Sequence, residues 1–170
     1  VLAAVLAVAA RLDAAGVPWL LTGSAGRALL GFARRPRDVD VEVEEARMEE
    51  ASRALGVAPA HEDGRGRAGW RAVAEIRGVE VDLTAGLQVT RADGRPPLRA
   101  DFALEEGWAH TVLVAGRPIR VAPVEEQIAV AIAGADWARL ARVAAGAPEG
   151  FRLRPAYLER RLSAAASAAS

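Results

Sequence analysis

Between residues 38 and 44 the chain reads Asp38-Val39-Asp40-Val41-Glu42-Val43-Glu44, a strict alternation of carboxylate and valine. A period of two is that of a β-strand, with the valines on one face and the four acids on the other. The valine face has to be covered, which commits the chain to a sheet with an apolar layer behind it. The acid face is harder to account for. An edge strand with a solvated face is the plainest explanation, yet Asp is poorly suited to strands. Asp38 and Asp40 also point to the same side, about 7 Å apart by the strand rise. Two short carboxylates held together repel one another unless a cation lies between them. A divalent ion that prefers oxygen ligands meets that need, magnesium first and manganese as the alternative.

A second segment repeats the device. In Val79-Glu80-Val81-Asp82-Leu83 the apolar residues share one face, and Glu80 and Asp82 share the other. If the two strands are neighbours, Asp82 completes a group of three carboxylates. Glu80 competes for that place, but the shorter Asp82 side chain keeps its charge near the backbone as Asp38 and Asp40 do.

Upstream, the apolar run Val17–Thr22 reads as a buried strand, Gly23-Ser24 follows at once, and Ala25–Phe32 reads as a helix. Backbone N–H groups at such a turn attract phosphate, glycine permits close approach, and a serine hydroxyl adds a donor. In isolation the dipeptide is weak evidence, since serine is also an ordinary helix N-cap. Arg27 lies in the first turn of this helix, and Arg34, Arg35 and Arg37 lead into Asp38. Their guanidinium forks suit phosphate, although a solvated basic loop explains them equally well.

In combination these pieces resemble the nucleotidyltransferase superfamily that includes DNA polymerase β. Its signature is an apolar residue, Gly, then Gly or Ser, a spacer, and an Asp-apolar-Asp/Glu-apolar strand. Here it reads Thr22-Gly23-Ser24, the spacer 25–37, then Asp38-Val39-Asp40-Val41, with Thr22 a mild departure at the first position. The style is that of small bacterial and archaeal members, including lincosamide- and aminoglycoside-type transferases and the transferase halves of toxin–antitoxin pairs.

The resemblance implies an α/β (α+β) fold, with a small mixed β-sheet, helices packed on one side, and C-terminal helices. It implies that Asp38, Asp40 and Asp82 are the catalytic, metal-binding carboxylates, and that Gly23, Ser24, Arg27 and Arg37 bind the phosphates of a nucleoside triphosphate. The reaction would move a nucleoside monophosphate to a hydroxyl of a small molecule or a protein side chain and release pyrophosphate. Two other readings stand beside it. One is an antitoxin-like subunit with a toxin partner; the other is a nucleotide-binding module without turnover. A homodimer is compatible with the resemblance.

The rest of the chain places limits on chemistry. There is no Cys, which removes disulfides, thiol catalysis and thiolate metal sites. All 22 basic residues are Arg, so Schiff-base chemistry and the lysine-bearing P-loop are excluded. With 22 acids the formal charge is zero, which argues against long nucleic acid as a partner. Ser24 lacks the Gly-x-Ser-x-Gly context and a His partner, so serine hydrolysis is rejected. His61 and His110 form no metal motif. Glu42 and Glu44 are expected to be solvated or paired with Arg, with Glu42 in reach of an acceptor. The four Trp are expected to pack, Trp108 being the one placed to stack on a base or acceptor.

Leu2, Val5, Leu6, Ala9 and Leu12 recur at helical spacing, so the apolar start reads as a core helix rather than a targeting segment. No membrane span is expected, and the expected location is cytoplasmic. Residues 45–55 read as a helix, 61–69 as a turn region, 70–76 and 79–83 as a hairpin, and 84–107 as irregular. A second hairpin covers 111–121. Helices then follow from Pro123, Asp136 and Pro155, with a fraying Ser/Ala tail from Ser163. The expected organisation is a transferase core over 1–121 and a helical extension over 122–170 packed on it.

Overall fold

The computed structural model describes residues 1–33, 35–64 and 66–163; Arg34 and the Ser/Ala tail beyond Ser163 lie outside the described residues. The chain opens with α1 (Leu2–Ala14), β1 (Trp19–Leu21) and α2 (Gly23–Leu29), then β2 (Val39–Val43). A 3-10 turn (Glu45–Arg47) leads into α3 (Met48–Leu55), which Gly56 ends in the left-handed conformation at φ 81°. Then come β3 (Ala60–Gly64), β4 (Arg67–Ile76), β5 (Val79–Val89), the two-residue β6 (Leu98–Arg99) and α4 (Phe102–Trp108). The hairpin β7 (His110–Val114) and β8 (Arg117–Val121) precedes α5 (Val124–Ala133), α6 (Trp137–Ala145) and α7 (Pro155–Ser163). This is the mixed α/β fold that the resemblance implies.

The sheet runs β3-β4-β5-β2-β1-β8-β7, with β6 added to β5. β2 lies parallel to β5, and β1 parallel to β8; the remaining pairs are antiparallel. The period of two holds along the central strands. Val39, Val41 and Val43 of β2 join Val81, Leu83 and Ala85 of β5 in one buried layer. Val5, Val8 and Leu12 of α1 and Met48, Ala51 and Leu55 of α3 cover that layer. Each such Val, Leu or Met side chain contributes about 1.5–3 kcal/mol on leaving water. Because side chains alternate, burying the valines fixes Asp40 and Glu42 on the opposite face.

The C-terminal helices build onto that opposite face. Ala129, Val130 and Ala133 of α5 pack on Val89 and Leu98, and a second cluster joins Val124 and Ile128 to Phe32 and Val143. Two ion pairs fasten α5 to the segment that follows α6. Arg154 grips Glu125 with Nη2 to Oε2 at 2.8 Å, and Arg161 of α7 grips Glu126 with Nε to Oε2 at 2.6 Å. The Tyr157 hydroxyl also donates to Glu126 Oε2, at 2.8 Å.

Two sequence expectations need correction. Residues 84–107 are not irregular: β5 continues to Val89, and β6 and α4 follow. Gly86, at φ 59°, lies within β5. Residues 61–64 and 66–69 are not a turn region: β3 pairs with the start of β4 at the sheet edge, and β4 shifts register on β5 between Ala68 and Trp70. Trp108 packs, as expected of the four Trp, its ring covered by the Arg154 guanidinium at 5.3 Å and met edge-on by Tyr157. Among the described residues no helix is long and apolar enough to cross a membrane.

The Glu126–Arg161 pair is nearly inaccessible to water, with side-chain exposures of 8% and 5%. Removing one partner of such a pair leaves an uncompensated buried charge and costs about 3–5 kcal/mol. The variant Arg161→Met is expected to lose that much in urea denaturation. A loss below about 1 kcal/mol would mean that the pair is solvated.

Candidate active site

The site starts from the turn between β1 and α2. Gly23 has φ 60°, and a Cβ placed there would fall on the Asp40 carboxylate. Asp40 therefore lies against the bare Cα of Gly23, an approach that only glycine allows. Ser24 holds both aspartates: its Oγ donates to Asp38 Oδ1 at 3.1 Å, and its backbone N–H donates to the Asp40 carboxylate. Behind the turn, Gln127 Nε2 of α5 donates to the Gly23 carbonyl at 3.2 Å. The helix begins at Gly23 rather than at Ala25, so the dipeptide lies inside its first turn.

The parallel register of β2 and β5 sets Asp40 directly opposite Asp82. Glu80, the competing candidate, is exposed and pairs across the β4–β5 hairpin with Glu75. Burial raises the Asp40 pKa above the ordinary carboxylate range, and the charges of Asp38 and then Asp82 raise it further. Asp82 is turned toward β4, where Arg71 Nε donates to its Oδ1 at 2.8 Å and Arg71 Nη1 lies 3.5 Å from Glu62. Among the described residues no three acidic or histidine side chains converge tightly enough to enclose a cation as they stand. The donor set nonetheless suits magnesium. It is all oxygen, Asp38 and Asp40 share one side of the strand end, and their mutual repulsion is the condition a divalent cation relieves.

Two cavities flank this group. The first, about 320 Å³, is lined by Gly23, Ser24, Asp38 and Asp40. Arg27, Arg67, Arg139 and Arg142 line it as well, with Asp136. The second, about 630 Å³, lies on the β4 side and is lined by Asp82, Arg71, Thr84 and Trp70. A third cavity, about 660 Å³, opens at the far end of β2 among Glu42, Glu44, Glu45 and Asp101.

The structure thus gathers Gly23, Ser24, Arg27, Asp38 and Asp40 around one cavity and places Asp82 beside them. Arg37 is exposed and does not line the cavity. Sequence reading missed Arg67, Arg71, Arg139 and Arg142. The helical i,i+3 spacing of Arg139 and Arg142 behind the Asp136 cap was a usable signal for one basic face. Nothing in the sequence said where that face would dock.

Glu42 differs from expectation. It is buried rather than solvated, and one carboxylate oxygen has no hydrogen-bond partner among the described residues. It sits with Glu105 and Glu126, opposed by Arg161. Burial, then the Glu126 charge, pushes its pKa up to about 7, and burial pushes Glu105 well above its usual range. Glu44, two residues on, is exposed.

Comparison with known proteins places this geometry. The family described as aminoglycoside-2''-adenylyltransferase matches residues 4–131. No curated protein matches the sequence. A Thermotoga maritima protein assigned as a nucleotidyltransferase is similar in structure, with TM-score 0.62 and 21% identity, covering 81% of this chain and 83% of that one. The crystal structure of ANT(2'')-Ia in complex with adenylyl-2''-tobramycin gives TM-score 0.51 and 17% identity, covering 96% of this chain and 95% of that one. At these identities the two structures speak for the fold.

The raised pKa of Glu42 makes stability depend on pH. Its folded-state pKa lies above the unfolded one, so its favourable contribution is present below about pH 4.5 and is lost as pH rises through about 7. Glu42→Gln removes this loss. The variant should gain up to about 3 kcal/mol over the parent at pH 8 and nothing at pH 4, read from paired denaturation curves. An equal difference at both pH values would contradict the assignment.

Proposed function

The chain belongs to the aminoglycoside-2''-adenylyltransferase family, and on that premise we propose that it transfers the adenylyl group of ATP to a hydroxyl of a small polyamine-bearing acceptor, with release of pyrophosphate. The observation that carries this reading is the register of β2 on β5, with Asp40 opposite Asp82 and Asp38 beside it on Ser24. In the reaction the acceptor oxygen attacks the α-phosphorus and forms the new ester bond. The bond from the α-phosphorus to the bridging oxygen breaks, its electron pair leaves with pyrophosphate, and the hydroxyl proton is taken up by a carboxylate or by solvent.

Each residue then has a physical task. Asp38 and Asp40 would hold magnesium, which when bound neutralises charge on the triphosphate and lowers the cost of bringing it against two carboxylates. Gly23 leaves the floor of the site open for a phosphate to approach, and the Ser24 hydroxyl can turn from Asp38 onto a phosphate oxygen. Arg27, on the wall of the same cavity, is placed to meet phosphate charge. Asp82 would orient the acceptor hydroxyl and receive its proton once it leaves Arg71. Arg37, exposed and off the cavity wall, is proposed only to attract the anionic donor from solution.

The acceptor class follows from charge. The crystal structure of ANT(2'')-Ia holds adenylyl-2''-tobramycin. Here the 660 Å³ cavity at the end of β2 carries four carboxylates, Glu42, Glu44, Glu45 and Asp101, against two guanidiniums, Arg99 and Arg161, an excess of acid suited to ammonium groups. This charge pattern favours a cationic small molecule over a toxin partner.

The test is pyrophosphate release from ATP with magnesium or manganese, across a panel of aminoglycosides and neutral polyols. Turnover is expected with amine-bearing acceptors and to fall by at least about 10³-fold in Asp40→Asn, with the fold retained by circular dichroism. Asp40→Asn turning over like the parent would contradict the role of the pair. A companion variant, Gly23→Ala, is expected to lose activity similarly by displacing the Asp40 carboxylate. An active Gly23→Ala would mean that Asp40 does not need its present position.

A further inference from the structure

The cavity beside the aspartates holds more positive charge than its own acids can balance. Four guanidiniums, from Arg27, Arg67, Arg139 and Arg142, share its wall with three carboxylates, Asp38, Asp40 and Asp136. They come from distant parts of the chain: α2, the start of β4, and one face of α6. Most other arginines with a carboxylate nearby are paired to it, including Arg71, Arg91, Arg117, Arg154 and Arg161. No such pair forms at Arg67, Arg139 or Arg142 among the described residues. These three stand close enough to repel one another: burial, Arg67 and Arg142 all disfavour the charged form of Arg139. Arg27 and Arg142 also wall a small adjoining cavity beside Phe32, so the positive wall continues outward from the aspartates.

Holding like charges together is costly unless an anion is to be received. Asp136 and Asp40 offset part of this charge at Arg139, yet no carboxylate forms an ion pair with Arg67, Arg139 or Arg142 among the described residues. The Ser24 donors are taken up by Asp38 and Asp40, so the Gly23-Ser24 turn alone does not meet the whole charge of a triphosphate. The remaining donors facing the cavity are these guanidiniums, whose planar forks match phosphate oxygens.

We propose that Arg67, Arg139 and Arg142 form a clamp for the β- and γ-phosphates of the nucleotide and hold pyrophosphate as it leaves. The clamp rests on the adenylyl-transfer reading for its place in the reaction, though not for its affinity for polyphosphate. It makes α6 part of the nucleotide site, although Arg139 and Arg142 lie beyond residues 4–131 that match the family. As the bond from the α-phosphorus to the bridging oxygen breaks, its electron pair passes to a pyrophosphate already surrounded by guanidinium N–H donors. The clamp therefore favours departure of the leaving group and slows its release afterwards.

The test uses inorganic triphosphate as the calorimetric probe, without metal, on the full chain. The parent and Asp38→Asn should bind it, while Arg139→Gln and Arg142→Gln should each bind about tenfold more weakly, and the double variant about a hundredfold. Arg160→Gln, a loss of charge on the exposed side of α7, should bind as the parent does. In turnover, the KM for ATP and the inhibition constant of pyrophosphate should rise together in the clamp variants, with Arg139→Lys partly restored. Arg142 is exposed, so Arg142→Gln keeps the test open if the double variant does not fold.

Unchanged triphosphate affinity in Arg142→Gln and Arg139→Gln overturns the clamp, as does an equal loss in Arg160→Gln. The two proposals fail separately. Adenylyl transfer with unaltered triphosphate affinity in these variants removes the clamp and leaves the reaction. Arginine-dependent triphosphate binding in a protein that adenylylates no acceptor supports the clamp and removes the reaction.

Discussion

The parallel pairing of β2 with β5 is the constraint on which the site depends. It sets Asp40 against Asp82 across neighbouring strands while the valines behind them fill the core. The same register that buries Val39, Val41 and Val43 therefore forces carboxylates together on the other face. A one-residue slip would exchange the two faces, placing acids in the core and valines in the site. The fold tolerates the repulsion by local means: Ser24 donates to Asp38 and Asp40, and Arg71 takes Asp82. Each of these contacts involves a group that the proposed reaction would use differently.

Charge is sorted along the face of the sheet. At the start of β2 the aspartates share a cavity with four arginines. Toward its end Glu42 is buried with Glu105 and Glu126, and the adjoining cavity has four carboxylates against Arg99 and Arg161. An anionic donor and a cationic acceptor would thus be attracted to opposite ends of one strand, with Asp40 and Asp82 between them. The C-terminal helices supply both ends: α6 carries Arg139 and Arg142, and α7 carries Arg161, which restrains the acidic cluster. A small chain in this way obtains two differently charged pockets by folding helices onto a sheet face that the acids would otherwise leave to solvent.

Much of the fold was legible because the strands obey a period of two and the early helices are bounded by Gly and Pro. The carboxylate pair was legible for the same reason, since its residues are two apart on one strand. Asp82 was legible as a candidate, and the choice over Glu80 agrees with the register. What was hidden depends on distance in sequence. Residues 84–107 read as irregular when only local propensity is weighed, yet β5 runs to Val89 and pairs with β4 on both sides of Gly86. The burial of Glu42 follows from where α4, α5 and α7 dock, and the positions of Arg67, Arg139 and Arg142 follow from which cavity their elements happen to close. No local pattern encodes those meetings.

The most direct test of the central claim is a crystal structure with magnesium and a non-hydrolysable ATP analogue. The account predicts metal bound by Asp38 and Asp40 between the strand end and the triphosphate, with Asp82 turned away from Arg71 toward the α-phosphate. A nucleotide seated elsewhere, or the three aspartates unchanged and without metal beside a bound triphosphate, would contradict it.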